Sequence, residues 1–162
     1  ALERTDPAVR HLSSVLDAYH RKVTFWVMAD RESTDLVLDS LDMAWKNTNQ
    51  PTGVIHHSDQ GSIYTSIRFG RYLTENGLVG SMGRTGTPAD NAVMESFHAT
   101  LQTELLDTQD WMTRDELMTA IFSFIEIHYN RKRRHSTLDY LSPVDYETTM
   151  QATQATRRPP ST

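Results

Sequence analysis

Two short runs dense in branched and aromatic residues, 11–16 and 23–28, stand on either side of the polar stretch Asp17-Ala18-Tyr19-His20-Arg21-Lys22. Each is too short to complete a stable helix and has the composition of a strand, so the pair predicts two strands joined by a turn. The apolar period then changes. Ser33 or Thr34 reads as a helix N-cap, and Leu36, Val37, Leu38, Leu41, Ala44 and Trp45 recur at helical spacing to about Lys46. Residues 47–53 are a turn cluster, and 54–57 a short strand that runs into Ser58-Asp59-Gln60-Gly61. A helix is expected from Ser66, carrying Ile67, Phe69, Tyr72 and Leu73 and stopping at Asn76-Gly77. Residues 78–82 are a further apolar run and 83–88 a flexible loop.

The C-terminal half reads as helical. A long helix begins near Asp90 with Val93, Met94, Phe97, Leu101 and Leu105 as its apolar stripe. Thr113 caps another through Tyr129, with Leu117, Ala120, Ile121, Phe124, Ile125 and His128 on one face. Ser142-Pro143 opens a short last helix. Strands first, then helices alternating with single strands, predict one α/β layered domain. The boundaries expected are an irregular segment 1–10, a core 11–150 and a disordered tail 151–162.

Composition removes several classes. No apolar run approaches the roughly 20 residues of a membrane span, and the first nine residues lack the apolar centre of a secretory signal. There is no cysteine, so disulfides and thiolate metal sites are excluded, and a cytoplasmic location fits. The net charge of −5 opposes a strongly basic nucleic-acid binder. Contact with phosphate must come from a local patch, and Arg131-Lys132-Arg133-Arg134 is the candidate. That run also follows a helix C-terminus, where cations interact favourably with the dipole.

Asp59 follows a short strand and Glu95 sits early in a helix. Carboxylates so placed can share a hard divalent cation such as Mg²⁺. Two such ions can activate a water or 3′-hydroxyl and stabilise the leaving oxygen of a phosphodiester. The same pair can equally be two solvated surface acids. His57, two residues before Asp59, can support it from behind, while His56 packs or faces solvent.

The motifs His56-His57-Ser58-Asp59-Gln60-Gly61-Ser62-Ile63-Tyr64-Thr65-Ser66 and Asp90-Asn91-Ala92-Val93-Met94-Glu95-Ser96-Phe97 resemble the second-aspartate and glutamate motifs of bacterial insertion-sequence transposases of the retroviral-integrase superfamily. The 35 residues between Asp59 and Glu95 match the spacing for which that Asp, Asp, Glu family is named. Tyr129-Asn130-Arg131, His135-Ser136-Thr137-Leu138 and Leu141-Ser142-Pro143 resemble its C-terminal signature. The resemblance runs from about Leu12 to Glu147. It implies a ribonuclease-H-like mixed sheet flanked by helices, Mg²⁺ or Mn²⁺ as cofactor, DNA as partner, possible homo-oligomers, and Asp59 and Glu95 as catalytic metal ligands. Asn91 and Gln102 join Arg131, Lys132, Arg133 and Arg134 as candidate DNA contacts.

One departure qualifies these expectations. The family's first aspartate would fall at or before residue 1, and the nearest acid, Asp6, precedes Pro7 outside any apolar strand. The sheet is therefore expected to lack its first strand, and strand transfer to be absent from these residues alone. The alternative is a non-catalytic remnant that binds DNA or another subunit.

Overall fold

The computed structural model describes residues 11–31, 33–59, 61–82 and 91–157. Strands β1 (His11–Leu16) and β2 (Val23–Ala29) form an antiparallel hairpin in register His11↔Ala29, with a bulge between Val15 and Leu16. The bulge leaves Thr24 without a partner residue, and its Oγ1 donates to the Val15 carbonyl at 3.1 Å. Asp17 closes the turn as expected, accepting from the amides of Tyr19 at 2.8 Å and His20 at 3.0 Å. Burial raises its pKa, but the His20 bonds and charge outweigh that and hold it below the ordinary value.

Helix α1 (Thr34–Asn47) starts at Ser33, whose Oγ accepts from the Leu36 amide, and buries Val37, Leu38, Leu41 and Ala44. Strand β3 (Ile55–Ser58) begins one residue later than expected and pairs in parallel with β4 (Val79–Met82). Helix α2 (Ile67–Glu75) joins them, capped by Ser66. It ends where Gly77 takes φ +67°, which lets the Leu78 amide reach back to the Leu73 carbonyl at 2.8 Å. Both pairing senses of a mixed sheet are present, as two two-stranded units. Residues 1–10, where an irregular segment is expected, and the loop 83–88 lie outside the described residues.

Helix α3 (Ala92–Glu104) buries Phe97 and Leu101, with Met94 and Leu105 partly buried beside them. Helix α4 (Arg114–Phe122) starts at Thr113, as expected, but the single α-helix to Tyr129 does not form. Ser123–Tyr129 winds as a π-helix, its last bond running from the Asn130 amide to the Ile125 carbonyl at 3.0 Å. The wider turn rotates the face by a residue. Tyr129 therefore enters the core, and His128, expected there, is exposed.

Helix α5 (Pro143–Arg157) also departs from expectation, since residues 151–157 are helical rather than part of a tail. Ser142 accepts from the Asp145 amide and donates to its carboxylate, and Pro143 suits the first turn. Thr148, Thr149, Thr153 and Thr156 each satisfy the carbonyl four residues back, and the first proline after the helix start is Pro159. Among the described residues no helix is long and apolar enough to cross a membrane.

The apolar interior divides in two. The larger core joins Val23 and Met28 to Phe97, Leu101, Leu117, Ile121, Ile125 and Tyr129. The smaller joins Val37, Leu38 and Leu41 to Phe69, Leu73 and Leu78. One buried polar group ties the larger core to the C-terminal segment. The Asn130 Oδ1 accepts from the Val23 amide at 3.0 Å, and its Nδ2 donates to the Val23 carbonyl at 2.9 Å. Asn130→Ala leaves both Val23 groups unpaired in the interior, an expected loss of about 2–4 kcal/mol. Urea unfolding should register it, whereas Asn91→Ala, at an N-cap that makes no side-chain bond, should leave the midpoint in place.

Candidate active site

Asp59 is carried by the turn that follows β3. Ser58 before it is buried, while Asp59 itself is exposed. Its Oδ1 accepts from the Gly61 amide at 2.9 Å, and a Cβ on Gly61 would stand 2.9 Å from that same oxygen. Glycine at this position is what lets the carboxylate fold over the backbone. The Gly61 carbonyl then accepts from the amides of Tyr64 and Thr65, and the chain passes directly into the Ser66 cap of α2. Asp59 thus lies between β3 and α2, and α2 is anchored in the smaller core through Phe69 and Leu73.

Glu95 is exposed in the first turn of α3, where its charge also suits the helix dipole. Phe97 and Leu101 anchor the helix on the core side. Ser14 of β1 donates to the Met94 sulfur at 3.6 Å, and its Oγ lies 3.5 Å from His98 Nε2. Glu95 is thus oriented by contacts to the larger core and to β1. Gly61, Ser14 and His98 were not candidates from the sequence. Only Gly61 left a signal there, as part of the Ser-Asp-Gln-Gly turn. Among the described residues no group of three or more His, Asp or Glu side chains gathers to hold a metal ion.

The neighbours of Asp59 divide as strand alternation requires. His56 turns inward, its ring 5.4 Å from Phe69 and 6.4 Å from Tyr64. His57 turns outward and shares a 3.1 Å hydrogen bond with Ser81, its register partner on β4. The support expected of His57 for Asp59 therefore goes to the neighbouring strand, because parallel pairing brings a hydroxyl opposite the ring.

The side chains expected to contact DNA are differently engaged. Asn91 stands at the N-cap of α3 without a side-chain bond. Gln102 donates to Asp107 at 2.6 Å. Of the basic run, Arg131, Lys132 and Arg134 are exposed, but Arg133 is held by Glu104 at 3.0 Å. At roughly 100° and ~1.5 Å per residue, the nine residues from Glu95 to Glu104 place that ion pair half a turn around α3 and ~13.5 Å along it.

Comparison with known proteins agrees with this architecture. The profile of the integrase core domain matches residues 5–88, and a second profile of the same description matches residues 76–143. The transposase for insertion sequence element IS904 of Lactococcus lactis is 43% identical over 143 residues, covering 88% of this chain and 56% of that protein. Transposase InsF for insertion sequence IS3A of Escherichia coli K12 is 37% identical over 144 residues, covering 89% and 50%. The chain thus spans about half the length of these relatives. The catalytic core domain of BIV integrase superposes with a TM-score of 0.63 at 18% identity, covering 91% of this chain and 94% of that one. The HTLV-2 integrase catalytic core domain in complex with magnesium gives 0.59 at 14%, covering 83% and 82%.

Two buried ring nitrogens, His56 Nε2 and His135 Nε2, have no hydrogen-bond partner among the described residues. Burial, then the charge of His57, lowers the His56 pKa to about 4. Burial, then Arg133 and Arg21, lower that of His135 to about 4 against the opposing pull of Glu104. Both rings are neutral in the fold at pH 7. Between the ordinary histidine value and about 4 the unfolded chain binds more protons, so stability falls as pH drops through that window. Melting temperatures from pH 7.5 to 4.5 should show the decline, and His56→Phe should make it shallower, leaving the share that His135 contributes. An equally steep decline in that variant would clear His56 of responsibility.

Proposed function

Because the chain belongs to the integrase core domain family, with insertion-sequence transposases among its relatives, we propose that it serves DNA integration by metal-dependent phosphodiester cleavage and strand transfer. The observation that carries this reading is the pair of exposed carboxylates Asp59 and Glu95, the first accepting from the Gly61 amide after β3, the second in the first turn of α3, separated by the family's spacing. Integration joins DNA, so the partners are element ends and target, engaged in the cytoplasm by an assembly of copies.

The donor set suits a hard cation. Asp59 and Glu95 offer carboxylate oxygens, and the nearby imidazoles are engaged elsewhere, His56 in aromatic packing and His57 with Ser81. A bound Mg²⁺ or Mn²⁺ would supply Lewis acidity toward the phosphodiester. The chain's own part is positional. Gly61 holds the Asp59 carboxylate in its turn, and the Phe97 and Ser14 contacts hold the first turn of α3. Two dications a few ångströms apart repel strongly unless anionic oxygens lie between and around them. Two carboxylates therefore bind the ion weakly, and strand transfer by residues 1–162 alone is expected to fall below detection.

Mn²⁺ titration followed by paramagnetic broadening of amide resonances tests the assignment. Broadening should centre on Gly61 and Ser96 and vanish in the Asp59→Asn, Glu95→Gln double variant. In a chain extended upstream, Glu95→Gln should abolish metal-dependent joining of labelled element ends. Broadening centred elsewhere, or joining that survives Glu95→Gln, would falsify the site.

A further inference from the structure

The four consecutive cations at 131–134 are not equivalent. Arg133 Nε donates to both Glu104 oxygens, at 3.1 and 3.3 Å, and its Nη2 lies 3.0 Å from Oε1. Its guanidinium also stands over the Tyr129 ring at 6.0 Å. The same carboxylate lies 3.4 Å from His128 Nε2. Bidentate Arg–carboxylate pairs are among the stronger charged contacts. A phosphate approaching Arg133 would have to displace Glu104 or sit beside its negative charge. The backbone reinforces this. The amides of Lys132 and Arg133 both donate to the His128 carbonyl, at 2.9 and 2.7 Å, and Asn130 is fixed by Val23. The turn is thus tied down on its inner side.

Its other side chains face outward. Arg131, Lys132 and Arg134 are exposed, and none has an ion-pair partner among the described residues. The fold adds a fourth cation from the hairpin turn. Arg21, at φ +59°, stands two residues before Val23, whose amide and carbonyl both bond the Asn130 side chain, and it likewise has no ion-pair partner among the described residues. Two segments far apart in sequence therefore bring positive charge to one corner of an otherwise acidic chain.

We propose that Arg21, Arg131, Lys132 and Arg134 form a surface for the DNA sugar-phosphate backbone, while Arg133 is withdrawn from it as the pin that shapes the turn. This rests on the DNA-directed reading above. The pinning pair Arg133–Glu104 lies at the end of α3 opposite Glu95, half a turn around the helix. The surface carries no base-reading geometry and binds without regard to sequence.

The test is the salt dependence of binding by the whole 162-residue chain to a fluorescein-labelled duplex of arbitrary sequence, read by anisotropy across a KCl series. Each phosphate contact contributes about −0.9 to the slope of log K against log salt. Arg131→Gln, Lys132→Gln, Arg134→Gln and Arg21→Gln should each flatten the slope by up to ~0.9 without moving the melting temperature. Arg133→Gln should lower the melting temperature and leave the slope alone. Glu104→Gln should steepen the slope by freeing Arg133, and this variant decides the matter if Arg133→Gln does not fold. A slope lost at Arg133, unchanged at its neighbours, or unchanged in Glu104→Gln overturns the proposal. No salt-dependent binding by the unsubstituted chain overturns the DNA-directed reading as well.

Discussion

The side chain of Asn130 meets the backbone of Val23 as one strand meets another, donating to its carbonyl and accepting from its amide. Most of the larger half of the domain depends on this exchange. Val23 opens β2, so the bonds set the height at which the hairpin enters the core. Asn130 also ends the π-helical segment, and its own carbonyl accepts from the Val144 amide at 3.0 Å, which fixes the start of α5. Helix α5 then returns to the hairpin turn, where Lys22 pairs with Glu147 at 2.6 Å and Tyr146 stacks near Tyr19 and His20. A buried amide left half-satisfied is worse than an apolar side chain. With both of its polar atoms bonded, Asn130 instead specifies one arrangement of three elements.

That arrangement gives physical content to the Tyr129-Asn130-Arg131 signature. Tyr129 fills the core against Phe97 at 5.0 Å, Asn130 ties the hairpin, and Arg133 closes the outer side through Glu104. A motif read as a basic, DNA-facing run is in large part a joint between elements. The carboxylates Asp59 and Glu95, by contrast, join no two elements among the described residues. Among the described residues Asp59 bonds within its own turn, and Glu95 is exposed on its helix. Residues without structural employment are the ones free to meet a cation.

What was legible in the sequence follows from locality. Caps at Ser33, Ser66 and Thr113, the Gly77 stop, and the stripes of α1, α2 and α3 are short-range chemistry, and each falls where its residues place it. The misses arise where geometry or distance intervenes. A pattern of 3.6 residues per turn cannot show a π-helical segment, so His128 and Tyr129 exchange places. The bond from His57 to Ser81 depends on which residues face each other across β3 and β4. The pairing of Arg133 with Glu104 spans 29 residues and no local pattern announces it. Helix α5 runs past its expected end through threonines that read as tail, whose hydroxyls bond back onto carbonyls of their own helix.

The two cores differ in how the chain reaches them. The smaller draws every buried residue from Val37 to Leu78, an unbroken stretch. The larger combines Val23 and Met28 with residues from Phe97 to Tyr129, and its Asn130 bond spans 107 positions. During synthesis at roughly 5–20 residues per second, the hairpin leaves its partners unmade for seconds after the smaller core has all its members. The hairpin strands are made before most of the residues that secure them, and in that interval their open backbone edges are where a nascent chain would meet a chaperone or another copy of itself.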